Sequence, residues 1–263
     1  MYIIKVGGGG TINLEGIVKD MIGLDGPALV VLGANAIRDG IAERLGTPKK
    51  TLTSVSGYES VFSDEQAIDA IMMGYPGLRC SRFVELCQQN GINAIGLSGI
   101  DGRAVQGQRN RGIRVREGGK TLLKRDFSGK PRSVNGPLFR LLLDNGYVPV
   151  LTIPIADENG YAINSENDDI VNVLQQELAA EHVLQLIEAP GFLDNKDDPE
   201  SLVPELSRGE LERREQQVEG RMKRKMLALR RLFESGASRV IIADGRVETP
   251  VSDALAGKGT IIQ

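Results

Sequence analysis

The sequence predicts an α/β fold, a three-layer αβα sandwich around a mainly parallel central sheet. Short β-rich runs alternate with helical stretches along the whole chain, and that alternation implies parallel strands with helical crossovers. Several runs, ALVVL at 28–32 and RVIIA at 239–243 among them, are apolar throughout. Such strands suit a sheet covered on both faces, where neither side of the pleat meets water. A chain of 263 residues, 41% hydrophobic and 25% charged, is large enough for one such domain or two closely joined lobes.

Taken in order, the strands are expected at Tyr2–Val6, Ala28–Gly33, Ile92–Ser98, Val148–Ile153, Val183–Ile187 and Arg239–Ala243. Helices are expected near 35–46, 64–90, 134–146, 167–181 and 219–236. Between the third strand and the fourth, glycine-rich breaks at 99–103, 116–120 and 126–130 mark a hairpin-like excursion. A turn signal at Asp157–Tyr161 sets a lobe boundary inside a single domain, giving lobes of about 1–158 and 159–263.

The net charge of −3 is unevenly spread. From Arg103 to Arg132 ten cations face only Glu117 and Asp126. Such a field draws an anionic partner, or is simply a solvated hairpin. Nucleic acid is not expected, because no aromatic residues interleave with the cations in a binding pattern. No apolar run approaches the ~20 residues of a membrane helix, and no leader is expected from MYIIKVGGGG, so the expected location is the cytoplasm. Cys80 and Cys87, seven apart, read as core residues on one helix face. The lone His182 reads as structural.

Four segments carry chemistry. Lys5 ends an apolar strand and is followed by Gly7, Gly8, Gly9 and Gly10. Glycines there let the backbone approach an anion, and a lysine within such a strand needs a site to face. The pattern is neither a Walker A loop nor a dinucleotide fingerprint. Gly33 and Ala34 end the second strand and open a helix whose free N–H groups suit an oxyanion; Asn35 reads equally as a plain helix cap. Asn164-Ser165-Glu166-Asn167-Asp168-Asp169 opens another helix with more acid than capping needs, enough to bind metal. Gly220-Arg221-Met222-Lys223-Arg224-Lys225 begins a basic helix, where Lys223 and Lys225 cannot share a face.

With NAIGLSGIDGR at 93–103, ADGRVETP at 243–250 and the closing GKGTII, these segments resemble the amino-acid kinase family along the entire chain. The fit is best to the branch that phosphorylates 2-aminoadipate or glutamate attached to an amino-group carrier protein, in lysine or arginine biosynthesis. The resemblance implies that Lys5 and Lys225 straddle the phosphoryl group, that Asp168 holds both lysines, and that Gly7, Gly8, Gly9, Gly33 and Ala34 cradle phosphate. It implies acceptor binding at Val61 and Asn164, with the first lobe as the acceptor side. Nucleotide would lie along Leu186, Glu188, Gly191 and Leu193 and against Gly220 and Met222 in the second. The implied cofactors are ATP and Mg²⁺, the ion riding on the phosphates with no protein cage. The implied partner is an acidic carrier protein on the basic stretch 103–132, and the implied assembly is a homodimer without arginine feedback. No general base is needed, because a carboxylate acceptor is already ionised.

Three departures fall on the acceptor end. Leu32-Gly33-Ala34 replaces a usual His-Gly-Gly, Val61 stands where the family has a carboxylate-gripping arginine, and Cys80 replaces an asparagine. Arg79 and Arg82 are the candidates to compensate. The alternatives are a kinase for free N-acetylglutamate and a non-catalytic nucleotide-binding paralogue.

Overall fold

The structure is a computed structural model. We describe residues 1–53, 55, 59–195, 197–217, 220–234 and 239–263, with the backbone alone at 59, 60, 117, 217 and 220–225. The first half runs β1 (Tyr2–Val6), α1 (Leu14–Met21), β2 (Ala28–Leu32), α2 (Asn35–Arg44), β3 (Thr51–Thr53), β4 (Glu59–Val61), α3 (Glu65–Met72), α4 (Ser81–Gln89), β5 (Ala94–Gly99), β6 (Val105–Arg109), β7 (Ile113–Glu117), β8 (Lys120–Lys124) and β9 (Gly129–Val134). The second half runs α5 (Gly136–Asp144), β10 (Val148–Ala156), β11 (Ala162–Ile163), α6 (Asn167–Leu178), β12 (His182–Ile187), β13 (Glu205–Leu206), α7 (Arg208–Gln217), α8 (Gly220–Glu234), β14 (Arg239–Asp244), α9 (Pro250–Leu255) and β15 (Thr260–Ile262).

An 11-stranded sheet takes the order β13-β15-β14-β12-β1-β2-β10-β6-β9, with β5 and β11 also paired to β10. The sandwich is as expected; the additional strands are short edge pieces and the β6–β9 pair. β1 lies at the centre, parallel to β12 on one side and β2 on the other. Period two sorts its residues: Ile3 joins one core cluster, Tyr2, Ile4 and Val6 the other. The first cluster takes its helical side chains from α3, α5, α6, α7 and α8, and the second from α1, α4 and α9. Lys5 is on the Ile3 side, the side α6 covers with Ile170, Val171 and Leu174.

The single helix expected over 64–90 is three segments. α3 starts where the Asp64 carboxylate accepts from the Ala67 N–H at 3.0 Å. It passes into a π-helical stretch, Met73–Cys80, which contains Pro76, and then into α4. A proline removes a donor and crowds the preceding turn; the wider π turn accommodates it without ending the helix. The basic excursion also divides. β6 and β9 join the main sheet, and only β7 and β8 stand apart as a two-stranded hairpin. Asp126 does not oppose the surface cations: it is buried, accepting from the Ser63 N–H at 3.2 Å and the Ser128 hydroxyl at 2.7 Å. Cys80 and Cys87 are buried, and desolvation pushes their thiols up to about 11 and about 12. Tyr2 stacks on His182 with ring centroids 4.9 Å apart, consistent with a structural histidine.

Candidate functional site

In open α/β sheets, ligands bind beyond the carboxyl ends of the parallel strands. Here two chain reversals meet at that edge, after β1 and after β2. The Gly7 N–H donates to the Leu186 carbonyl at 2.8 Å, and the Gly33 N–H to the Val6 carbonyl at 2.9 Å. Both glycines therefore spend their donors on extending the sheet. Their contribution is close approach: a Cβ on Gly33 would lie 2.6 Å from the Gly8 nitrogen, and one on Gly8 would lie 2.6 Å from the Asn35 nitrogen. The N–H groups of Gly8, Gly9 and Gly10 meet no backbone acceptor among the described residues. These are the donors left for an anion.

Asn35 does not cap α2. Ala34 holds the N-cap position without a side-chain bond, and the Asn35 side chain instead accepts from the Tyr75 hydroxyl. Ala34 has φ −147°, so the missing glycine costs no left-handed strain there. Tyr75 is buried and its hydroxyl is pushed up to about 12, chiefly by desolvation.

Lys5 sits between Gln185 of β12 and Val31 of β2, its side chain only 13% exposed. Its Nζ donates to Asp168 Oδ1 at 2.5 Å. Asp168 reaches it because α6 begins at the same sheet edge and packs over the Ile3 face. A charge at this depth needs a partner, and this pair supplies it while leaving two ammonium protons available. On the next residue, Asp169 pairs with Arg231 of α8 at 3.7 Å, joining α8 to the start of α6. Lys225 stands on α8 one turn before the buried Leu229; its side chain, like that of Met222, lies outside the described residues, and Gly220 is described by its backbone.

Glu188, just past β12, fills the space beside Gly9. A Cβ on Gly9 would fall 1.8 Å from its carboxylate oxygen. Glu188 accepts from the Thr11 hydroxyl at 2.5 Å and the Thr11 N–H at 3.0 Å, and these bonds hold its carboxyl below the usual range. Leu186 lies buried beneath the same loop. Gly191 and Leu193 belong farther along, packed on Leu202 and Thr260 near the β15 edge.

The two acceptor-side positions meet through Ser63. Asn164 Nδ2 donates to the Ser63 hydroxyl at 3.0 Å, two residues beyond Val61 at the end of β4. Val61 lines a cavity with Arg38, Lys50, Phe62 and Asp64. Of the two arginines expected to compensate, Arg82 is exposed and bonded to Glu85, whereas Arg79 turns inward. Sequence reading missed Tyr75, Thr11 and the internal Asp126. The Pro76 break inside a helical pattern was the available signal for the first; Thr11 and Asp126 act through partners remote in sequence and gave none.

The sheet is that of an α/β protein, and the paired glycine reversals and the lysine–aspartate pair meet at the carboxyl end of its first strand. The chain belongs to the amino acid kinase family, whose model matches residues 1–244. It is 39% identical to the LysW-aminoadipate kinase of Thermus thermophilus, each chain covered to 100%, and 38% identical to that of Deinococcus radiodurans, covering 100% of this chain and 91% of the relative. The Giardia carbamate kinase structure shares the fold with a TM-score of 0.68 at 14% identity, over 99% of this chain and 97% of the other.

Proposed function

We propose that the protein transfers the γ-phosphoryl group of MgATP to the side-chain carboxylate of an amino acid attached to an acidic amino-group carrier protein, giving an acyl phosphate and ADP. The observation that carries this reading is the Lys5–Asp168 pair, 2.5 Å apart beside two glycine reversals. A carboxylate oxygen attacks the γ-phosphorus as the bond to the β–γ bridging oxygen breaks, and no proton moves. Catalysis is then positioning and charge neutralisation. Lys5 Nζ, fixed by Asp168, and the N–H groups of Gly8 to Gly10 face the phosphoryl oxygens, with Lys225 as the second lysine and Ala34 supporting the cradle. When bound, Mg²⁺ supplies charge neutralisation on the nucleotide phosphates. The donor set suits an ion carried there, since Asp168 is committed to Lys5, Asp169 to Arg231 and Glu188 to Thr11.

Acceptor binds in the first lobe, 1–158, near Val61, with Asn164 reaching Ser63 from the start of the second lobe, and nucleotide in that second lobe, 159–263, along Leu186, Glu188, Gly191 and Leu193 and the start of α8. The carrier is supported by the names of the Thermus and Deinococcus relatives and by the hairpin β7–β8. Arg111, Arg114, Arg116 and Lys120 are exposed there, with Leu123, 50% exposed, opposite Arg114 in the register. A cationic surface with an apolar centre suits an acidic protein partner. We place the enzyme in the cytoplasm as a homodimer. Purified protein with MgATP, hydroxylamine and carrier-linked 2-aminoadipate tests the reading, because acyl phosphates are trapped as hydroxamates. Efficient turnover of free N-acetylglutamate instead removes the carrier, and no hydroxamate from any acceptor removes the enzyme.

A further inference from the structure

A second cation stands at the glycine loop without a task in the reaction above. Arg79 lies on the π-helical stretch Met73–Cys80, four residues after Tyr75, and both side chains run to the same place. The Tyr75 hydroxyl reaches Asn35 and Arg79 Nη2 faces the Gly9 carbonyl, at 3.4 Å a long and weak contact. Arg79 Nε is buried with no hydrogen-bond partner among the described residues. Burial lowers the guanidinium pKa, and the opposing carboxylate, Glu188, is already bonded twice by Thr11. An arginine stays protonated under such conditions, so this edge of the guanidinium is a charged donor held in place and left unsatisfied.

We propose that Arg79 binds an oxyanion seated against the glycine loop. The inference rests on the kinase reading for its ligand. A guanidinium edge takes two oxygens of one group side by side, which suits either a phosphate of the nucleotide or the carboxylate that accepts the phosphoryl group. Tyr75 and Arg79, four residues apart on the stretch that contains Pro76, fall on one side of the helix and reach the loop from there.

The test compares the parent with Arg79→Gln and Arg79→Lys. It uses calorimetric titration with MgATP, the hydroxamate assay with carrier-linked 2-aminoadipate, and the melting temperature. Arg79→Gln should weaken one ligand roughly ten- to hundredfold, with partial recovery in Arg79→Lys and little change in melting temperature. A rise in the MgATP Kd assigns the phosphate; a rise in acceptor KM at constant MgATP affinity assigns the carboxylate. Both ligands within twofold of the parent in both variants would overturn the proposal. So would an equal loss of activity and melting temperature in both, which marks a purely structural arginine. If the parent neither binds MgATP nor forms hydroxamate, the kinase reading has failed separately. Titration with inorganic pyrophosphate then still decides on Arg79, by whether Arg79→Gln binds more weakly than the parent or equally well.

Discussion

The glycine loops at the centre of the sheet and the β7–β8 hairpin outside it both gather positive charge, by opposite means. At the loops there are few cations, each held: Lys5 by Asp168, Arg79 within the π turn. Atoms there approach so closely that a single methyl would collide with backbone. At the hairpin the cations are many and exposed, on strands that pair only with each other. Held charge in a dry site lowers the energy of a particular arrangement of atoms, whereas mobile charge in water mainly raises the rate of encounter. On the reading proposed above, chemistry belongs to the first region and partner choice to the second.

The contrast breaks first at the loops. Lys5→Ala, Asp168→Ala and Lys225→Ala should each lower kcat by about 10² or more with the melting temperature little changed, as measured by hydroxamate formation. Normal turnover in Lys225→Ala with loss in Lys223→Ala would put the second lysine two residues earlier. Next comes packing. Gly8→Ala places its methyl 2.6 Å from the Asn35 nitrogen, whereas Gly10→Ala meets nothing within 4 Å. The first should cost about 1–3 kcal/mol in denaturant unfolding and the second less than about 0.5. Equal values would mean that the two reversals do not need their close contact.

At the hairpin a smaller and different effect is expected. Reversing Arg111, Arg114 and Arg116 to glutamate should raise KM for the carrier-bound substrate about tenfold at low salt, with kcat unchanged. The effect should shrink as the Debye length falls from ~10 Å at 0.1 M salt toward ~3 Å at 1 M. Unchanged KM at low salt would return the hairpin to a solvated surface. The smallest effect lies at the other end of β1, away from both regions. Tyr2 donates to Asp25 at 2.5 Å, and that bond, with burial, pushes its hydroxyl up to about 12. The folded-state pKa is raised, so the stabilisation is complete below pH ~10 and is lost as pH rises through about 12. Tyr2→Phe should flatten that alkaline decline in thermal unfolding without altering turnover.

Much of this was legible in the sequence. Apolar strands, alternation with helices and the lysine–glycine start announce the layers and the end of the sheet that carries the site. They do so because period and composition are local properties of the chain. Asp168 was readable as surplus acid at a helix start, and its pairing with Lys5, 163 residues away, appears when α6 covers the Ile3 face of β1. The turn expected at Asp157–Tyr161 is present, with the Asp157 carboxylate accepting from the Asn159 and Tyr161 N–H groups.

Other features were decided only by the tertiary structure. The sequence by itself determined which residue types stand at the strand ends, and hence where backbone N–H groups and a lysine come together. Which N–H groups remain free was settled by register, since Gly7 and Gly33 give theirs to Leu186 and Val6. Asn35 lost its capping role because Tyr75 reached it first, and Asp126 left the surface because Ser63 and Ser128 enclose it. Arg79 and Arg82 are equivalent as letters; packing turns the first inward to Gly9 and leaves the second in water with Glu85. The physical reason is common to all of these. A polar group's function depends on whether its hydrogen-bonding capacity is already spent, and the groups that spend it arrive from distant parts of the chain.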